Sequence, residues 1–401
     1  TSVLIVVRHC RLPYEKKIPA GLIGAYFCFI CLLIPSLLFS QNLRNDVRPF
    51  VNIVFDVVPF LLAWFGIVEK KQIIPLIAAL AFSLTISSLS IIYQGIVLGV
   101  DSATRFSSFG YICMATAGFT AVILPLLGVV VLERRGLNPW LKAGLTAAIF
   151  IGVLAVVINM NRGVWMAMII VTIIYLWVKL REKSGWNVAV LILLSCSIII
   201  ITLVPPFRDR AESVWNDGVS LCRSYQLIFK DNPTDEFNKI VGSTGKMVPE
   251  RIYMWNGAWR MFHEHPWNGV GLGSVGEIFQ SGRGYISPLA YSPAEFVHAH
   301  NNFLQFLAAA GIPGLLGFVI LFIFVLWMSI RRYIKFPETV WNLAGLLVTV
   351  SFLIQGLTEY NYVHSALVRL YWFIFGICMV ASCLHSDSAG IIRQKTEGNF
   401  A

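Results

Sequence analysis

The chain of 401 residues is too apolar, and has too few charges, for a soluble globular protein. Hydrophobic residues make up 57% of it and charged residues only 13%, whereas soluble proteins are about 25% charged. This composition predicts an all-α polytopic membrane protein. The formal net charge is +10, but the basic residues lie at the ends of apolar runs. We therefore expect membrane lipids as partners and no nucleic acid.

The apolar runs that are long enough to span a membrane number about ten. They cover about residues 18–40, 50–68, 72–97, 109–132, 140–160, 163–180, 186–204, 312–330, 339–358 and 363–384. Because several intervening turns are very short, we expect about 10–12 transmembrane helices. The predicted domains are N-terminal helices over 1–204, a large polar loop over 205–301 and C-terminal helices over 302–401.

Basic clusters occur at alternate junctions between the predicted spans and so predict an orientation. They are Lys16 and Lys17, residues 69–71, 133–135, 181–183 and 331–335, and Arg393 with Lys395. The other short loops contain only Arg44, Arg48, Arg105 and Arg162. Basic loops stay on the cytoplasmic side, so we expect both termini in the cytoplasm. The loop at 205–301 then lies on the outer side of the membrane, which is the periplasm in a Gram-negative cell.

The large loop is too long to be a simple connector and contains a helical pattern. Ile252, Trp255, Trp259 and Phe262 recur at helical spacing and predict an amphipathic helix at the membrane surface. Trp255, Trp259 and Trp267 would serve as stacking faces or as membrane anchors. A glycine-rich stretch at 269–276 follows, and we interpret it as a flexible turn.

Arginines and histidines from separate parts of the chain are predicted to meet on the outer face. Arginine suits phosphate because its planar fork donates two hydrogen bonds and keeps its charge. Histidine is suited to accept a proton near neutral pH. Each also has a structural interpretation, as an arginine at the headgroups or a hydrogen-bonded histidine. The candidates are Arg162, Arg208, Arg210, Arg251, His298 and His300, with Asn301 beside them.

A zinc site is a competing interpretation of the histidines, and the spacing argues against it. Residues 263–265 read H-E-H and are followed by Pro266, which differs from the H-E-x-x-H of a helical zinc site. In the H-x-H of His298 and His300, a helix would point the rings apart. We therefore expect no metal. The nearby GIPGLLGF at 311–318 is also typical of close helix packing between small residues.

Three motifs in the second half resemble the O-antigen ligase/polymerase superfamily. They are the R-x-x-x-W from Arg251 to Trp255, HEHPWNGVGLG at 263–273 and HAHNNFLQFLAAAGIPGLLGF at 298–318. The resemblance is strong over about 250–320; in the first half it is limited to topology and an arginine at the expected junction. It implies a bacterial glycosyltransferase of the GT-C type, independent of metal and of any cofactor.

The resemblance also implies substrates and residue roles. The donor is a glycan on undecaprenyl pyrophosphate, and the acceptor of a ligase is a sugar hydroxyl of lipid A–core. His300 matches the essential histidine of the family, while Arg162 and Arg251 match its phosphate-binding arginines. Arg208 or Arg210 is a possible third. We expect His300 to act as general base in an inverting displacement, with His298 and Asn301 orienting it or binding sugar.

Two other functions remain open at this point. A polymerase of the same superfamily would pass the growing glycan to the next lipid-linked repeat. A transporter of lipid-linked sugars, from a different class, would need charged residues along a pathway through the spans. Asp56 and Arg369 are the clearest charged residues inside the predicted spans, and this scarcity argues against transport.

Overall fold

The computed structural model describes residues 18–100, 106–108, 113–181, 205–230, 250–281 and 297–397. Within these ranges the chain is helical and contains no strand, which confirms the all-α prediction. Short 3₁₀ helices lie at Lys70–Gln72, Tyr225–Phe229 and Asn361–Val363. The α-helices are α1 Ala20–Leu38, α2 Leu43–Phe55, α3 Val58–Gly66, α4 Ile73–Leu98, α5 Cys113–Glu133, α6 Pro139–Asn159, α7 Arg162–Arg181, α8 Pro205–Ser224, α9 Glu250–Glu264, α10 Ser274–Gln280, α11 Asn302–Lys335, α12 Val340–Gln355 and α13 Ser365–Glu397.

Eight helical segments in the described ranges are long and apolar enough to cross a membrane, and α12 is a shorter apolar helix. The chain is therefore a polytopic membrane protein. The predicted span at 186–204 lies outside the described residues. The predicted span at 50–68 is divided between α2 and α3, because Pro59 in the first turn of α3 has no N–H to continue α2.

The centre of the bundle is formed by α5, α12 and α13. The spanning parts of α5 and α13 are 83% buried, against 28% for α1 and α6. The remaining surface of α1 and α6 is apolar, as expected for lipid-facing helices. Small polar side chains hold α12 in place. The Ser351 hydroxyl donates to the carbonyl of Ala121 at 2.6 Å, and the Thr349 and Tyr371 hydroxyl oxygens lie 3.2 Å apart.

Glycines let α11 pack closely along α1. A methyl group at Gly317 would lie 3.0 Å from Cα of Phe29, and one at Gly21 would lie 2.4 Å from Cζ of Phe324. The GIPGLLGF segment therefore does contribute to helix packing through its small residues.

The predicted span at 312–330 begins ten residues earlier than expected, at Asn302, and is broken at Gly311. Gly311 has φ 64°, so the two halves of α11 meet at a kink. Ile312 donates its N–H to Pro266 instead of to Ala308, and Pro313 has no N–H to give to Ala309. The kink thus frees two buried carbonyl groups.

The glycine-rich turn after α9 supplies hydrogen-bond donors to those two carbonyl groups. Val270 donates to Ala308 at 2.9 Å and Gly271 donates to Ala309 at 3.0 Å. Gly269 has φ 64°, and a Cβ on it would lie 2.3 Å from the carbonyl carbon of Ala309. The turn is therefore closely packed and hydrogen-bonded, and the prediction of a flexible turn is wrong. Only glycine allows this approach of two backbones.

A buried carboxylate from α2 fixes the other end of the same turn. Asp46 is fully buried and accepts hydrogen bonds from the backbone N–H of Gly273 at 2.7 Å and the hydroxyl of Ser274 at 3.0 Å. These groups begin α10, where a negative charge is favourable. The Ser40 hydroxyl donates to the same carboxylate at 2.5 Å. Asp46 therefore ties the large loop to the first half of the chain.

Replacement of Gly269 by Ala should destabilise the protein by about 2 kcal/mol or more, because it adds a side chain at positive φ against a backbone. The measurement is the thermal unfolding midpoint in detergent. The matched control is Gly144→Ala in α6, where a methyl group would meet nothing within 4 Å. Equal midpoints for the two variants would contradict the close approach.

Candidate active site

His300 and Glu359 form the centre of the candidate site. His300 lies just before α11, and Glu359 lies in the loop between α12 and α13. Nδ1 of His300 is 2.6 Å from Oε1 of Glu359, and the side chains are 21% and 4% exposed. This ion-pair contact places Nδ1 against the buried carboxylate, which leaves Nε2 as the nitrogen that can exchange a proton.

The segment before α11 is held so that the His300 ring reaches this position. Ala299 donates its N–H to Oε1 of Gln305 at 2.8 Å and accepts a hydrogen bond from the Trp255 indole at 2.9 Å. Asn301 caps α11 by accepting from the N–H groups of Phe303 and Leu304. His300 has φ 46°, a strained backbone that persists only when its surroundings enforce it.

Asparagines connect this segment to the loop that contains Glu359. The Asn302 N–H donates to Gly356 at 2.7 Å, and its side-chain oxygen accepts from the N–H of Asn361 at 2.8 Å. Asn301 donates its side-chain amide to Leu357 at 2.9 Å. The motif H-x-H-N-N therefore supplies the His300 ring together with the groups that place it against Glu359.

The electrostatics of the site favour an ionised Glu359 and a neutral His298. Burial alone would raise the pKa of Glu359, but the hydrogen bond from His300 and the charges of His300, His298 and Arg251 hold it below its ordinary value. Burial, together with the charge of His300, lowers the pKa of His298 to about 3. Nδ1 of His298 accepts the N–H of His300 at 3.2 Å, as a neutral ring can. His298 therefore accepts a hydrogen bond within the loop as a neutral ring.

His364 is a further titratable group at this site. Burial lowers its pKa, and it is close enough to feel the charges of Glu359 and His300. Sequence reasoning missed both His364 and Glu359. The available signal was the polar stretch TEYNYVH at 358–364 between two apolar runs, on the same predicted side of the membrane as His300.

Arg251 and Arg162 are brought towards this centre from two different helices. Arg251 is in the first turn of α9, as predicted, and its charge acts on both His298 and Glu359. Trp255 lies one turn later on the same face, so the R-x-x-x-W motif faces the histidine segment. Arg162 begins α7 at the predicted junction. A Cβ on the adjacent Gly163 would meet the Thr358 hydroxyl at 2.1 Å, next to Glu359.

Arg208 and Arg210 lie on α8, and the structure does not link them to the histidines. Arg208 is exposed, with Nε 3.8 Å from Asp209 and 4.0 Å from Glu212. The side chain of Arg210 lies outside the described part. α8 as a whole does approach the site, because Arg162 donates to the hydroxyl of Ser213 at 3.0 Å.

The residues that could hold a metal ion differ from those weighed in the sequence. Ligand atoms of His298, His300 and Glu359 lie within 4.8 Å of one another. Among the described residues, this is the group that could hold an ion, and residues 263–265 at the end of α9 do not join it. A carboxylate and two imidazoles can bind zinc, but Nδ1 of His300 is already directed at the carboxylate.

The tryptophans have different environments from one another. Trp255 is half-buried, and its indole fixes Ala299 as described above. Trp259 packs edge-on against Phe229, with ring centroids 5.0 Å apart. Trp267 is 68% exposed, which fits the predicted role of an anchor or stacking face.

The two charged residues noted inside the predicted spans form a pair. Nε of Arg369 donates to Oδ1 of Asp56 at 3.0 Å, although 313 positions separate them. The Asp56 side chain is 1% exposed and that of Arg369 is 42% exposed. Asp56 lies where α2 gives way to α3, so the pair fastens this break to α13.

Comparison with known families agrees with this arrangement. Residues 147–319 match the model of the O-antigen ligase family. This part of the chain is similar to the O-antigen ligase family. The matched segment runs from α6 into α11 and includes Arg162, Arg251 and His300, whereas Glu359 follows it. No curated protein matches the chain significantly.

Loss of Arg369 should destabilise the protein more than loss of the whole ion pair, because it leaves a buried carboxylate without its counter-charge. We expect Arg369→Gln to lower the unfolding midpoint below that of the double variant Asp56→Asn/Arg369→Gln, by the equivalent of about 1 kcal/mol or more. Arg48→Gln, at an exposed position of α2, is the control for loss of an arginine. A double variant less stable than Arg369→Gln would contradict this account.

Proposed function

We propose that the protein is a glycosyltransferase of the GT-C type that acts as an O-antigen ligase. It transfers a glycan from undecaprenyl pyrophosphate to a sugar hydroxyl of lipid A–core. The observation that supports this most directly is the His300–Glu359 contact of 2.6 Å, made next to an arginine-bearing helix. The match of residues 147–319 to the O-antigen ligase family supports the same class of reaction.

The proposed reaction is a direct displacement with inversion at the anomeric carbon. The acceptor oxygen forms a bond to that carbon while the bond to the pyrophosphate oxygen breaks. Nε2 of His300 takes the hydroxyl proton, and Glu359 stabilises the imidazolium through Nδ1–H, as the carboxylate does in a Ser-His-Asp triad. Undecaprenyl pyrophosphate leaves with the bonding electron pair.

Departure of a pyrophosphate requires fixed positive charge near its oxygens. We assign this role to Arg251 and Arg162, which approach the histidine centre from α9 and α7. Arg208 and Arg210 stay candidates for a more distant contact, because α8 is joined to Arg162 through Ser213. Asn301 acts on the geometry of His300, since both its amide oxygen and its amide nitrogen are used within the protein.

The distribution of charge supports a periplasmic location for this site in the bacterial inner membrane. We call the end of the bundle around His300 and Glu359 the histidine end. We call the opposite end of the bundle the basic end. It contains the C-terminal ends of α5, α7, α11 and α13 and the beginning of α12. Its basic residues include Arg134, Arg135, Lys179, Arg331, Arg332 and Lys335. Positive charge is retained in the cytoplasm, so the histidine end would face outwards.

The decisive experiment is transfer by purified protein in detergent with EDTA present. Glycan on undecaprenyl pyrophosphate and lipid A–core are offered together, and we expect glycan-capped lipid A–core as product. His300→Asn should reduce the rate by about 10²–10⁴-fold, because it removes the base. Asparagine tolerates positive φ better than alanine, so a loss of rate would report the imidazole and not the backbone.

Each other result of this experiment has a defined meaning. Elongated lipid-linked glycan without capped core would identify a polymerase instead of a ligase. Loss of activity with EDTA and recovery with zinc would assign His298, His300 and Glu359 to a metal. Full activity in His300→Asn would exclude His300 as the base. No product from either acceptor would favour transport.

Glu359→Gln tests the role of the carboxylate. The amide keeps the shape of the side chain but cannot stabilise a protonated His300, so we expect kcat to fall by about 10²-fold or more. His298→Gln is the comparison, since burial lowers the pKa of His298 and keeps its ring neutral. An unchanged kcat in Glu359→Gln would exclude the proposed pairing.

A further inference from the structure

The basic end of the bundle contains a cavity that the proposed reaction does not use. Its volume is about 550 Å³, and it lies among the ends of five helices: α5, α7, α11, α12 and α13. A second cavity of about 340 Å³ shares residues Glu133–Arg135 with it and continues to Lys142. The two cavities therefore adjoin along one short basic segment.

The negative charge of Glu133, the acidic residue in this shared wall, is already paired within the protein. Glu133 lies 2.9 Å from Nζ of Lys179 and accepts a hydrogen bond of 2.5 Å from the hydroxyl of Tyr175. Glu338 is the other carboxylate that lines the larger cavity. Arg134 and Arg135 line both cavities, so the wall between them has an excess of positive charge.

The Arg134 side chain is held in this wall and has unused hydrogen-bonding capacity. Its guanidinium lies over the ring of Trp341, 5.4 Å from the centroid, and Trp341 is itself buried. Nη1 of Arg134 is buried and has no hydrogen-bond acceptor among the described residues. A buried guanidinium donor without an acceptor is costly, and phosphate oxygens are well-matched partners for it.

The position of the cavities indicates that a phosphate bound there would belong to a lipid headgroup. They lie where the spanning parts of α5, α7 and α11 end, which is the depth of lipid headgroups. Tyr333 and Trp341 line the larger cavity, and aromatic residues are frequent at this depth. Basic pockets between helix ends bind anionic headgroups.

We propose that the two adjoining cavities bind one anionic lipid whose headgroup has two phosphates, with one phosphate on each side of Arg134 and Arg135. Trp341 holds the Arg134 guanidinium flat between them. The lipid joins the end of α5 to the beginning of α12 at the face opposite the histidine end. This site is separate from the proposed transfer reaction and does not rest on it.

Native mass spectrometry of the delipidated full chain in detergent tests the proposal. The probes are cardiolipin, phosphatidylglycerol and phosphatidylethanolamine, titrated separately. We expect cardiolipin to bind most tightly and phosphatidylethanolamine least. Arg134→Gln should lower the affinity for cardiolipin about tenfold or more. Arg134→Lys keeps the charge but loses the planar fork, so its affinity should lie between those of Arg134→Gln and the unaltered protein. Arg135→Gln gives a second test should Arg134→Gln fail to fold.

The matched control is Arg331→Gln. Arg331 is exposed at the same end and lies over a tryptophan ring, with its guanidinium 4.4 Å from the centroid of Trp327, but it lines neither cavity. An equal loss of cardiolipin affinity in Arg331→Gln and Arg134→Gln would overturn the site in favour of general attraction by the basic end. Equal affinities for cardiolipin and phosphatidylglycerol would overturn the two-phosphate headgroup. Displacement of cardiolipin by millimolar inorganic phosphate would identify a soluble anion instead of a lipid.

Discussion

The exchange of backbone hydrogen bonds between the turn at 266–271 and the break in α11 is the constraint on which the candidate site depends. Ala308 and Ala309 are fully buried, so water cannot reach the carbonyl groups that Ile312 and Pro313 leave without helical donors. A buried carbonyl group without a partner is costly. The turn supplies Val270 and Gly271 as donors and receives the N–H of Ile312 in return. The break and the turn therefore require each other.

This exchange explains how residues far apart in the chain reach the same place. It docks the end of α9 on α11, and α9 then presents Arg251 and Trp255 to the segment before α11. Trp255 fixes Ala299, and the strained His300 is directed at Glu359. Asp46 secures the other end of the turn. The position of His300 thus results largely from backbone groups and neutral side chains, with the Asp46 carboxylate holding the far end of the turn.

Three largely buried carboxylates in the described part of the chain each lie beside a basic side chain. Asp56 lies with Arg369, Glu133 with Lys179, and Glu359 with His300. The buried Asp46 is stabilised instead by the N–H and hydroxyl donors of Gly273, Ser274 and Ser40. A buried charge without such partners would be strongly destabilised. Glu133 is satisfied by its neighbours, whereas His300 keeps Nε2 for a proton and the Arg134 guanidinium keeps a donor for an anion. Unused capacity of this kind distinguishes a group that can act on a ligand from a structural pair.

The sequence by itself determined the membrane class, the approximate positions of most spans, the junction at Arg162 and the helix beginning near Arg251, because each follows from local composition or spacing. The choice of His300 as base follows from a motif and stays a prediction. The sequence did not determine that Glu359 is the partner of His300, that Asp56 meets Arg369 or that the glycine turn is closely packed and hydrogen-bonded. The asparagines after His300 have helix-capping propensity, but their bonds to the loop at 356–361 depend on where α12 and α13 pass. Only the tertiary structure decided these contacts, because they join residues separated by tens to hundreds of positions. Local patterns specify which helices form, and the pairing of buried polar groups specifies how those helices meet.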